Sequence, residues 1–182
     1  GWTADEESQV RGFVDAFYPL AEDLYGAPAF DITAKIVRDT EVHELLGGVY
    51  VVSTHEIHIP PLSGNFPYDS FVLGQMILHA FHDAAFLAYD SWEKGFVRAA
   101  ATLCMRRLGG DFDPMRDPFY ILPLYDLLNQ PPLGSPTFFP STEYTAMFPW
   151  RVGMSMAAWL KVAAGQPNFF RDFNTAYYSE WS

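Results

Sequence analysis

The sequence predicts an α+β domain in which a small N-terminal sheet precedes a mainly helical remainder. Three observations predict it: one helix-periodic apolar stripe before residue 26, two β-rich segments between residues 30 and 59, and long helix-periodic segments from residue 71 onward. This order lacks the strand–helix alternation of a nucleotide-binding sheet, and neither GxGxxG nor GxxxxGK[ST] occurs.

The first element is a helix over residues 6–25, where Val10, Phe13, Val14, Phe17, Leu20 and Leu24 form one stripe. Pro19 is expected to bend or interrupt it, and Gly26-Ala27-Pro28 ends it. Residues 30–38 and 48–59 read as two strands in one sheet, because both are rich in β-branched and aromatic residues. Pro60-Pro61 closes the second, and residues 62–69 read as a loop. Ser70 is the expected cap of a helix over 71–87, and Ser91 that of a helix over 92–108 ending at Gly109-Gly110. The short link between these two helices packs them side by side. Prolines break residues 111–118 and 129–148 into loops around a short helical piece at 119–128. Two last helices fall at 150–164 and 167–178.

Composition sets the outer limits. The chain has 182 residues, 49% hydrophobic and 18% charged, which suits one compact domain over residues 1–182. It divides into a helix-and-sheet region, 1–70, and a helical region, 71–182. The abrupt Gly1-Trp2 start reads as a domain excised from a longer chain, so parent-chain domains are expected. A formal charge of -11 repels phosphates, which argues against nucleic acid as a partner. His79, His82, Arg98, Arg106 and Lys161 interrupt the apolar stretches before any reaches the roughly 20 residues of a membrane span, so no membrane insertion is expected. The single cysteine, Cys104, excludes an internal disulfide, and its apolar helix makes it packing material rather than a nucleophile. No GxSxG elbow is present.

The chemistry-bearing segment is Gln75-Met76-Ile77-Leu78-His79, followed by His82-Asp83 and then by Trp92-Glu93-Lys94-Gly95. Together with Gly48-Val49-Tyr50 and Glu56-Ile57-His58-Ile59 before it, this order resembles the core of the gluzincin, or peptidase MA-like, metallopeptidases. The resemblance covers residues 24–100. It implies a zincin-like fold, with an active-site-type helix beside the small sheet. In that family HExxH supplies two zinc ligands and a general base, and a glutamate on the next helix completes the set. Here Gln75 stands at the first histidine, Met76 at the base, His79 at the second histidine and Lys94 at the glutamate, with Glu93 one residue away.

Those substitutions remove the reaction chemistry. A catalytic zinc takes three protein ligands and an open position for water, whereas an amide is a weak ligand, a thioether accepts no proton and an ammonium repels the cation. The expectation is a noncatalytic metallopeptidase-like binding or structural module, without a cofactor, located outside the cell or in its envelope. Its ligand would be a peptide or protein. The alternative is a divergent metal-dependent peptidase or hydrolase that uses zinc, with His79, His82, Asp83 and Glu93 as candidate ligands. Glu56, His58 and Tyr144 are the candidates for lining a cleft. His55-Glu56-Ile57-His58 is no helical zinc motif, because alternation on a strand puts Glu56 and His58 on one face and His55 and Ile57 on the other.

Overall fold

The computed structural model describes residues 1–28, 34–42, 48–82, 90–109 and 144–181. The topology is mixed α+β: a helix, a small early sheet and a largely helical C-terminal region. Expectations for residues 30–33, 83–87 and 110–143 lie outside the described residues, Asp83 among them.

The first helix, α1, spans Ala4–Tyr25. Thr3 starts it with a capping box: its hydroxyl accepts from the Glu6 amide at 3.2 Å, and the Glu6 carboxylate accepts from the Thr3 amide at 2.8 Å. Thr3→Ala is therefore expected to lower stability by about 1 kcal/mol, measured by urea unfolding. A loss no greater than that of Thr3→Ser would show that the cap contributes nothing. Pro19 lies inside the helix without ending it. The lost backbone bond is tolerated because Phe17, Ala21, Leu24 and Tyr25 are buried on both sides of it. Gly26 closes the helix at φ 90°, a conformation that only glycine adopts cheaply.

Three strands follow: β1 at Lys35–Arg38, β2 at Val49–Val51 and β3 at Glu56–Ile59. Residues 48–59 are thus two strands and a turn rather than one strand. The turn at residues 52–55 carries no glycine, and His55 takes the positive φ of 52° itself. Sheet order is β1-β3-β2, with β3 parallel to β1 and antiparallel to β2. Ile57 and Ile59 are buried on the inner face, whereas Glu56 and His58 lie on the outer one.

The second helix, α2, spans Phe66–His82, five residues earlier than the expected start at 71. Pro67 fits there because the first turn of a helix needs no amide donors. Asn65 is the residue that caps it, accepting from the Tyr68 amide at 3.4 Å. Ser70 is buried inside the first turns and does not cap. The third helix, α3, spans Asp90–Leu108 and ends at Gly109 with φ 73°. Helix α4, Tyr144–Gly165, begins six residues before its expected position, and α5 spans Phe169–Trp181. Among the described residues no helix is long and apolar enough to cross a membrane.

The core lies between these helices and the inner face of the sheet. Phe96 of α3 is its hub, with ring centroids of Tyr25, Phe170, Phe173 and Trp159 within 4.8–5.6 Å. Two close approaches set helix spacing. A methyl group at Gly74 would stand 2.9 Å from Phe17 ring carbons, so α1 and α2 meet there. At Gly95 a methyl group would land inside the Ser155 side chain, so α3 and α4 meet there. Asp23 of α1 accepts from Arg107 of α3 at 2.6 Å and Arg171 of α5 at 2.8 Å, and Asn174 of α5 donates to the Tyr25 carbonyl at 2.7 Å.

Candidate functional site

Helices α2 and α3 run antiparallel, so successive turns of one face successive turns of the other in reverse order. Gln75 meets Arg98, and one turn further along α2 His79 meets Glu93. The Arg98 Nε donates to Gln75 Oε1 at 2.9 Å, and Gln75 Nε2 donates to the Phe71 carbonyl at 3.3 Å. Both ends of the buried Gln75 amide are therefore engaged within the protein. His79 Nδ1 stands 3.2 Å from Glu93 Oε1, with Glu93 only 7% exposed. A carboxylate on Nδ1 favours the tautomer protonated there and leaves Nε2 with the lone pair.

Met76 is buried on the sheet side of α2. A methyl group at Gly48, just before β2, would stand 3.0 Å from Met76 Cγ and 3.1 Å from the His58 carbonyl oxygen. The thioether thus fills the seam between helix and sheet, where Gly48, at a positive φ of 153°, lets the backbone lie close to it. Lys94 is half-buried on α3, next to Glu93. The carboxylate of the one-residue shift, Glu93, is the group that contacts His79. His82 is the last residue of α2 and Tyr144 the first of α4. Among the described residues no group of three or more His, Cys, Asp and Glu side chains could hold a metal ion. Burial pushes the Cys104 thiol up to about 12, which keeps it protonated and unreactive.

The second polar cluster is on the outer face of the sheet, built from side chains of β1, β3 and the residues flanking them. His58 Nδ1 lies 2.8 Å from Asp39 Oδ2, and Nε2 lies 3.3 Å from Glu56 Oε2. Glu56 also accepts from Lys35 Nζ at 3.1 Å and from Thr54 Oγ1 at 3.2 Å. The hydrogen bond to Asp39 raises the His58 pKa above its ordinary 6.5, against a smaller opposing effect of burial. The same bond, aided by the Glu41 amide, holds the Asp39 carboxyl below its ordinary 3.8. Lys35 first, then His58 and Thr54, lower that of Glu56. A shallow groove of about 290 Å³ between α1 and β1, lined by Trp2, Val10, Val14, Ala34 and Ile36, includes no member of either cluster.

Sequence reasoning placed Glu56 and His58 together on one strand face, and they are hydrogen-bonded there. It missed Asp39 and Lys35, the partners of His58 and Glu56, and Arg98, the partner of Gln75. The available signal for Arg98 was its cationic side chain inside an otherwise apolar run of α3, a position that requires a buried partner. Asp39 and Lys35 bracket β1 but give no local hint of the parallel register that brings them to β3.

The class defined by fold and site is an α+β domain with a polar ladder between two antiparallel helices beside a three-stranded mixed sheet. No protein-family model, curated protein or solved structure matches this chain.

Proposed function

We propose that this domain is a noncatalytic metallopeptidase-like module, which binds a peptide or protein or supports neighbouring domains of its parent chain. The observation that carries the reading is the engagement of Gln75 by Arg98 and the Phe71 carbonyl. At the position where a zincin needs its first imidazole, the chain holds a neutral amide tied to a guanidinium, and at the base position it holds the buried Met76. A cation placed between the helices would face the Arg98 guanidinium and meet a thioether, which accepts no proton, at the base position. A location outside the cell or in its envelope belongs to the same reading.

The 3.2 Å contact of His79 with Glu93 favours a second reading, a divergent metal-dependent hydrolase, because it already supplies an imidazole and a carboxylate on facing helices. Zinc titration by calorimetry separates the two. The native chain is expected to take up no stoichiometric zinc at His79. Gln75→His with Met76→Glu is expected to raise zinc affinity on the order of a hundredfold, since it adds one imidazole to the existing pair. The contact with Glu93 makes a change at Lys94 unnecessary. Tight one-to-one binding by the native chain, lost in His79→Ala, would favour the hydrolase. No gain in the doubly substituted chain, with its circular dichroism intact, would sink the correspondence of Gln75 and His79 to a ligand pair.

A further inference from the structure

Strand β1 is one edge of the described three-stranded sheet, and the opposite edge, β2, is the one that lies against α2. The Lys35 amide donates to the His55 carbonyl at 3.0 Å and the Asp39 amide to the Ile59 carbonyl at 2.9 Å. In a parallel ladder, residues bonded to one neighbour alternate with residues that face away from it. The backbone N–H and C=O groups of Ile36 and Arg38 therefore point out of the sheet. Among the described residues they meet one partner, the Trp2 indole, whose Nε1 donates to the Ile36 carbonyl at 3.5 Å. That is longer than an ordinary N–H···O bond. Charged side chains commonly guard such an edge, but the two on β1 are turned elsewhere. Lys35 reaches Glu56 on the outer face at 3.1 Å, and Arg38 approaches Glu6 of α1 at 3.6 Å.

Beside this edge runs the groove between α1 and β1. Its floor is apolar, formed by the half-buried Trp2, Val10, Val14, Ala34 and Ile36. Its length suits one strand: Glu7 to Asp15 covers about 12 Å of helix, and the four residues of β1 extend about 13 Å. Its rim carries two carboxylates against one guanidinium. Arg11 pairs with Glu7, one turn before it, at 2.7 Å, which leaves Asp15, one turn after it, uncompensated among the described residues.

We propose that the groove between α1 and β1 binds an extended peptide, which adds to β1 as a further strand with apolar side chains in the groove and a Lys or Arg side chain at Asp15. The peptide backbone supplies the partners that Ile36 and Arg38 lack and replaces the long bond to Trp2 with ordinary ones. Ile36 is in register with the buried Ile57, so alternate side chains of an added strand turn to the same inner face, where the groove lies. A formal charge of -11 attracts a basic peptide and repels both a second copy of this chain and a nucleic acid. The site shares only peptide binding with the function proposed above, and it lies across the sheet from the seam of Gly48 and Met76.

The test is selection of a random heptapeptide library displayed on phage against the native chain, followed by NMR titration with the enriched peptides in free form. Enriched sequences are expected to alternate apolar and polar positions and to carry Lys or Arg. On titration the Ile36 and Arg38 amides should gain protection from hydrogen exchange and the Trp2 indole signal should shift. Asp15→Lys, an exposed change outside the core, should weaken these peptides about tenfold and turn the selection toward acidic ones. Light scattering should show a single copy of the chain. No enrichment, binding that leaves the Ile36 and Arg38 amides unprotected, affinity unmoved by Asp15→Lys, or a dimer paired through β1 would each overturn the site. Peptides that instead perturb β2, Met76 and His79 would overturn it while leaving a peptide-binding module in place, and the zinc titration tests the metallopeptidase likeness separately.

Discussion

Gly95→Ala is expected to destabilise the domain by about 3 kcal/mol, although alanine is the better helix former by about 1 kcal/mol. The added methyl would fall inside the Ser155 side chain and stand 2.7 Å from the Met156 backbone nitrogen. Ser155 is itself anchored, its Oγ donating to the Trp92 carbonyl at 3.2 Å, and a backbone atom in the middle of α4 cannot turn aside. The helices must separate, which loosens the contacts of Trp159 with Trp92 and Phe96. Urea unfolding should show the loss, and the melting temperature should drop by about 6–12 °C for a chain of this size. Gly95→Ala with Ser155→Gly should recover only part of it, because the Met156 nitrogen remains in place. A variant as stable as the native chain would mean that propensity, not helix contact, governs this position.

The second large effect is expected at His79. His79→Ala leaves the buried Glu93 side chain without its imidazole partner, and stranding a buried polar group costs about 1–3 kcal/mol, beyond the effect of an ordinary surface change. Replacing both residues by leucine should return stability to within about 1 kcal/mol of the native chain, since a buried pair can be exchanged for apolar packing at little net cost. A double-mutant cycle in urea measures the coupling directly. If His79→Ala costs less than about 0.5 kcal/mol, the pair does not hold α2 to α3.

Much of the fold was legible because its signals are local. The stripe from Val10 to Leu24 defines α1 without help from the rest of the chain, and Gly109 marks the end of α3. The misreadings were of residues whose usual meaning was overridden by position. Pro67 reads as loop but stands in a first turn, and Pro19 reads as a break but lies between buried neighbours. The turn at residues 52–55 uses His55 where glycine or asparagine is the common signal, so two strands looked like one. At the site, the spacing of Gln75 and His79 was readable on one helix. Which of Glu93 and Lys94 would contact His79 was not, because one residue turns a helix by about 100° and only tertiary contacts such as Gly95 against Ser155 set that rotation. The Asp39–His58 pairing depends likewise on the parallel β1–β3 register, which no local pattern encodes.

The attachment of α5 to α1 bears on how the chain can be made. Tyr25 is separated from Asn174, which binds its carbonyl, by 149 positions, and Phe170 and Arg171 reach the same end of α1. At about 5–20 residues per second of synthesis, α1 waits on the order of ten to thirty seconds for these partners. Throughout that interval Tyr25 and Phe96 lack the aromatic wall that later covers them. Docking of α5 on α1 is consequently a late, long-range closing step of folding rather than progressive growth from the N-terminus.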